Sequence, residues 1–141
     1  MRRFVALALT AATLSGCAYD TQPQPRSPQA AQQLDRYLAG RVAGRPQACL
    51  PSYRSQDMVV VDENTILFRD GGNRYWRTEL QGGCNGLGSP GRALVTKSVG
   101  TAQLCRGDIA QVIDTAAGGF FVGGCSFGDF VPYTGPGIRR P

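Results

Sequence analysis

The sequence predicts a mainly β fold: a small antiparallel barrel or sandwich of about six to seven strands, with one N-terminal α-helix and two disulfides. Three observations predict it. After Pro46, strand-forming residues gather in short runs parted by turn residues, the rhythm of a small antiparallel domain. Nineteen glycines and nine prolines among 141 residues furnish those turns. Cys49, Cys84, Cys105 and Cys125 form an even set spread through the same region, as a disulfide framework requires.

The chain opens with Arg2 and Arg3 before an eleven-residue apolar run, Phe4 to Leu14. As a helix this run would be roughly 17 Å long, against the roughly 30 Å hydrocarbon core that a stable span must cross. Residues 1–16 therefore read as a cleaved signal peptide. Leu14-Ser15-Gly16-Cys17 resembles the lipobox of bacterial lipoproteins. In that family the cysteine sulfur receives a diacylglyceryl group, the peptide bond before it is cut, and the new amino terminus is acylated, commonly with palmitate. The resemblance implies lipidation at Cys17 and a partner in the membrane itself. Enterobacterial lipoproteins kept at the inner membrane carry Asp after the cysteine; Ala18 in that place implies the outer membrane, facing the periplasm. An ordinary secretory cut after Ala18 is the alternative and would release the chain, but all four lipobox positions match. Arg2-Arg3-Phe4 is an incomplete twin-arginine signal.

Residues 17–27 read as the lipidated cysteine and a tether of Gln, Pro and small polar residues. Its ten residues from Ala18 extend to about 33 Å at most, and Pro23 and Pro25 stiffen it. Ser27-Pro28 then has the form of an N-cap with proline in the first turn. Ala30, Ala31, Leu34, Leu38 and Val42 recur at helical spacing, which predicts a helix from about Pro28 to Leu38 or Val42. Gly40 and Gly44 weaken its end and Pro46 stops it. Its opposite face carries Gln32, Gln33, Asp35 and Arg36, so packing on its own domain is expected rather than docking on a membrane.

Met58 to Val61, Thr65 to Arg69 and Arg74 to Leu80 predict a three-stranded meander, with turns at Asp62-Glu63-Asn64 and Asp70-Gly71-Gly72-Asn73. In its third strand, alternation puts Trp76, Thr78 and Leu80 on the core face and Tyr75, Arg77 and Glu79 on the other. A glycine-rich loop, Gln81 to Gly91, leads to a strand over Ala93 to Lys97. Ile109 to Asp114 is a further strand, turning at Thr115 to Gly118 and returning as Phe120 to Val122. A last edge strand is expected around Phe127 to Val131, before Pro132. The domain thus spans residues 28–134, and 135–141 form a loose tail.

With Cys17 lipidated, the other four cysteines in an oxidising compartment imply two disulfides. Three pairings are open. Cys105 with Cys125, which flank the predicted hairpin, is favoured, and Cys49 with Cys84 follows. Each bridge is worth about 3 to 4 kcal/mol by the chain-entropy argument. No histidine is present, so zinc ligation lacks its usual partner and no metal or cofactor is expected. The absence of histidine also excludes Ser-His-Asp and Cys-His catalysis.

Cys49-Leu50, the aromatic strand ending at Leu80, Cys84-Asn85-Gly86-Leu87, Leu104-Cys105-Arg106-Gly107-Asp108 and Cys125-Ser126-Phe127-Gly128-Asp129-Phe130 form a set of short blocks. They resemble those of a family of small exported proteobacterial proteins whose domain has no assigned function. The resemblance covers about Leu34 to Tyr133. It implies the architecture and carries no catalytic residue.

Gly86-Leu87-Gly88-Ser89-Pro90-Gly91 satisfies G-x-G-x-x-G, but phosphate binding needs a helix after it, and here a strand is expected. Arg106-Gly107-Asp108 spells an adhesion tripeptide and reads better as a turn. Among the carboxylates, Asp108 and Asp129 are the pair to inspect for acid–base hydrolysis, since a Cys105 to Cys125 bridge would draw their segments together. Tyr75-Trp76 and Phe120-Phe121 are adjacent aromatics, so one of each pair faces away from the core. Tyr75, Arg77, Phe120 and Phe121 are therefore the candidate contact surface.

The formal charge of +5 includes Arg2 and Arg3, which leave with the leader, and an envelope location removes nucleic acid as a partner. The sequence reads as a non-enzymatic envelope lipoprotein that binds an envelope protein or polymer. The alternative is an inhibitor of a hydrolase: lipoproteins that inhibit lysozyme are also small disulfide-bonded β-barrels. A small hydrolase using an acid pair is the third reading. The sequence does not decide the oligomeric state.

Overall fold

The computed structural model describes residues 25–51, 57–71, 73–97 and 103–135. The expected leader, Cys17, most of the expected tether and the expected tail after Gly135 lie outside the described residues.

Ser27 opens helix α1, Pro28–Leu38: its hydroxyl accepts from the Ala30 N–H at 3.2 Å, and Pro28 fits the first turn because its missing N–H has no partner to lose there. The Ala39 N–H bonds the Asp35 carbonyl at 2.7 Å, and Gly40, at φ +70°, turns the chain out of the helix. Val42 does not continue the helix. It lies with Ala43 in strand β1, Val42–Ala43, and is 73% exposed.

The remaining strands are β2 (Met58–Asp62), β3 (Thr65–Asp70), β4 (Arg74–Gln81), β5 (Arg92–Lys97), β6 (Ile109–Asp114) and β7 (Phe120–Thr134). They make one antiparallel sheet in the order β2-β3-β4-β7-β6-β5, curled into a half-barrel. The mainly β expectation holds, in a form between the barrel and sandwich alternatives: β2 and β5 remain the two edges of a single curved sheet.

β7 is the axis of the sheet. The sequence predicts a short return strand followed by a separate edge strand; the structure has one continuous 15-residue strand at the centre. β6 pairs with its first half, from Phe120 to Ser126, and β4 with its second, from Ser126 to Thr134. Past the first residue of β6, Ile109, the chain after α1 fills the vacant side of β7: Val42 and Ala43 pair with Thr134 and Tyr133, and Gln47 exchanges two 2.8 Å bonds with Phe130.

Glycines inside β7 serve close approach. A Cβ at Gly128 would stand 2.6 Å from the Glu79 carbonyl oxygen, where Gly128 and Asp129 bulge opposite that single residue of β4. A Cβ at Gly123 would press on Asn85 at 3.2 to 3.3 Å. Strand propensity is overridden here by the space available.

Two apolar clusters flank the sheet. Inside the curl, Ile66, Phe68, Trp76, Leu80, Val112, Phe127 and Phe130 pack with Leu50, Leu87 and Leu104 from the loops. On the outer face of β2, β3 and β4, α1 lays Ala30 and Leu34 against Val61, Leu67 and Tyr75. Trp76, Thr78 and Leu80 do face the inner core.

The disulfides join Cys49 to Cys105 and Cys84 to Cys125. This corrects the expected pairs, Cys105–Cys125 and Cys49–Cys84. In the β6–β7 ladder Cys125 stands opposite Ala110, five residues past Cys105, so the two cysteines are out of register by more than a disulfide can span. The turn at Arg106-Gly107 carries Cys105 away to a bridge with Cys49. Cys125 alternates inward, where Cys84 of the glycine-rich loop meets it in the core.

Candidate functional site

The predicted contact surface divides in two. Tyr75 stands opposite Tyr133 near the end of β7, whereas Phe120 begins that strand thirteen residues earlier, about 43 Å away along an extended strand. Tyr75 is also covered: it is 8% exposed beneath α1, its ring 5.6 Å from that of Tyr37. The Arg41 guanidinium sits 4.8 Å from the Tyr75 centroid and that of Arg69 5.9 Å, close enough for cation–π attraction. Tyr75 thus belongs to the helix-packing layer. Alternation assigned its face correctly; the helix then buried that face.

Arg77, half-buried on the same outer face, joins a polar chain. Its Nε donates to Glu79 at 2.7 Å, and its Nη2 also reaches that carboxylate. The other Glu79 oxygen accepts from the Thr65 hydroxyl at 2.8 Å, and that hydroxyl accepts from Arg26. Arg26 Nε donates to Asp62 at 2.7 Å. Burial alone would lower the Arg77 pKa. Hydrogen bonds and opposite charge from Glu79, joined by Tyr133, outweigh it together and hold the guanidinium above its ordinary value. Arg26, Asp62 and Thr65 were not singled out in the sequence, because their association depends on where α1 begins over the sheet.

A groove of about 410 Å³ opens beside this chain of bonds, between the start of α1 (Ser27, Ala30 and Gln33), the end of β2 (Val60 to Glu63) and Gly88 of the glycine-rich loop. The G-x-G-x-x-G segment contributes a wall of this groove, but the element after it is β5, as expected. Gly86, Gly88 and Gly91 have φ between +75° and +86°, so these glycines serve the turns of the loop.

Phe120 and Phe121 are 72% and 64% exposed at the start of β7. The Phe121 ring lies over Gly124, where a Cβ would touch it at 3.5 Å. Both phenylalanines therefore stay on the candidate surface, beside the Thr115–Gly119 turn.

The two acids singled out for hydrolysis have separate duties. Asp108 is buried and accepts the Cys105 N–H at 2.8 Å, while Asp129 pairs with Arg106 at 2.9 Å. Arg106-Gly107-Asp108 is accordingly a turn, with Gly107 at φ +88°. Among the described residues, no group of three His, Cys, Asp or Glu side chains is placed to hold a metal ion. No helix among them is long and apolar enough to cross a membrane.

Residues 1–127 match a family described as a family of unknown function, DUF6491. The chain belongs to this family. The matched stretch includes all five cysteines, both halves of each disulfide and Phe120-Phe121. No curated protein and no solved structure matches the chain.

Proposed function

We propose that this DUF6491 protein is an envelope lipoprotein, attached through acylated Cys17 at the periplasmic face of the outer membrane, with a non-enzymatic binding or structural domain. The observation that carries the reading is the order of segments: basic residues, a short apolar run, Leu14-Ser15-Gly16-Cys17 and a proline-containing tether, followed by a domain closed by two disulfides. A protein that keeps two structural disulfides suits an oxidising compartment.

A non-catalytic domain is favoured by the structural partners that most of its described carboxylates have. Asp70 accepts from the Trp76 indole at 3.0 Å and from Arg74 at 2.7 Å. Asp62 and Glu79 hold Arg26 and Arg77, and Asp108, Asp114 and Asp129 serve turns and ion pairs. An acid–base pair needs a carboxyl directed at substrate.

Expression of the full chain in a Gram-negative envelope tests the reading. Wild-type protein is expected in the detergent-solubilised outer-membrane fraction with acyl groups in its mass, and Cys17→Ser outside that fraction and without them. An unchanged membrane fraction for Cys17→Ser contradicts it.

A further inference from the structure

We infer that the β6–β7 turn is a second membrane contact, with Phe120 and Phe121 entering the interfacial layer of the bilayer that holds Cys17. This rests on the lipidation proposed above. The partner is a lipid surface, recognised by apolar contact rather than by charge.

The first ground is the chemistry of the tip. Every residue from Thr115 to Phe121 is exposed, and no charged residue occurs from Thr115 to Gly128. Two adjacent benzyl side chains left in water forgo a large transfer gain, and an exposed apolar patch of this kind marks an interaction site.

The second ground is that the tip is built, with its nearest charges neutralised. The Asp114 carboxylate accepts from the Ala116 and Ala117 N–H groups, each at 3.0 Å, and from Arg92 at 2.9 Å. The Gly119 N–H bonds the Asp114 carbonyl at 2.7 Å. Thr115 donates to the Gly91 carbonyl through both its N–H, at 2.8 Å, and its hydroxyl, at 2.9 Å. Insertion of Phe120 and Phe121 therefore requires neither ordering of the turn nor desolvation of a lone charge.

The third ground is placement. In this antiparallel order the β2–β3 turn, the glycine-rich loop and the β6–β7 turn share one end of the sheet. Hydrogen bonds link them in series: the Cys84 and Gly86 N–H groups reach Glu63, and Thr115 reaches Gly91. Arg26 docks on Asp62 at that same end, so the tether leaves the domain there. Arg26 is nine residues past Cys17, at most about 32 Å along an extended chain, which keeps this end of the domain within that reach of the lipid anchor. The hairpin extends six residues of β7, about 20 Å of strand, beyond the last pair with β4.

The test uses the full chain isolated from the envelope, its acyl groups verified by intact mass, and reconstituted in phosphatidylcholine vesicles with brominated acyl chains. Phe120→Trp is expected to add a blue-shifted emission, quenched at least twofold, to that of Trp76. Asn73→Trp, at the opposite end of the sheet, is expected to add a red-shifted emission without quenching. An acylated chain whose Phe120→Trp signal stays red-shifted and unquenched overturns the inference and leaves the lipidation reading standing. If the mass shows no acyl groups, that reading falls, and the tip is tested without an anchor. In the Cys17→Ser chain, Phe120→Ser with Phe121→Ser is then expected to lower vesicle partitioning at least tenfold. Unchanged partitioning overturns the tip as a lipid contact.

Discussion

Arg26, the residue before the N-cap of α1, is bonded to Asp62 at the end of β2, with 2.7 Å between Nε and Oδ2. Through the Thr65 hydroxyl the same guanidinium reaches Glu79, which also holds Arg77. Arg26 is thereby held by charge on the sheet, one residue before the N-cap of α1. A double-mutant cycle with Arg26→Ala and Asp62→Ala is expected to give a coupling of about 1 kcal/mol by urea denaturation, since both side chains retain some solvent contact. Zero coupling would show that the tether end does not rest there.

Peptide mapping without reduction is expected to recover Cys49 with Cys105 and Cys84 with Cys125. By chain entropy the two bridges differ little, each contributing about 4 kcal/mol for loops of 56 and 41 residues. Burial separates them, because Cys84 and Cys125 lie within the inner core while Cys49 is half-buried. Replacing Cys84 and Cys125 together by Ala is expected to lower the Tm further than replacing Cys49 and Cys105.

Two glycines of β7 offer a matched comparison. Gly128→Ala drives a methyl against the Glu79 carbonyl, a backbone atom that cannot swing aside, and is expected to cost about 2 to 3 kcal/mol. Gly124→Ala meets the Phe121 ring at 3.5 Å and the Ala110 carbonyl oxygen at 3.8 Å, both ordinary contact distances, and its cost is expected to stay below about 1 kcal/mol. Equal costs from denaturant melts would contradict the bulge geometry.

Tyr75→Ala removes a ring buried between α1 and the sheet and is expected to cost about 3 kcal/mol. Tyr75→Phe keeps the packing and the cation–π contacts with Arg41 and Arg69, and should cost much less. A large loss on Tyr75→Phe would point to a role for the hydroxyl beyond packing.

Much of the fold was legible because local chemistry determined it. Ser27-Pro28 set the start of α1, and turn residues set the meander and the Ile109–Asp114 strand. What escaped depended on distant partners. Gly123 and Gly128 make room for Asn85 and Glu79, contacts that only the folded chain brings together. The disulfide pairs hinge on the turn after Cys105, which sends that residue to Cys49. On β4, period-two alternation identified the face of Tyr75 but could not show that α1 covers it. Phe120 and Phe121 were singled out by their adjacency; their common end with the tether emerged only from the strand order.

Lipidation of Cys17 is read from the mass of the N-terminal peptide of the chain recovered from the envelope. The expected peptide begins at Cys17 and carries a thioether-linked diacylglyceryl group with an amide-linked acyl chain. A peptide beginning at Tyr19, or one that retains Met1 with an unmodified Cys17, would contradict it.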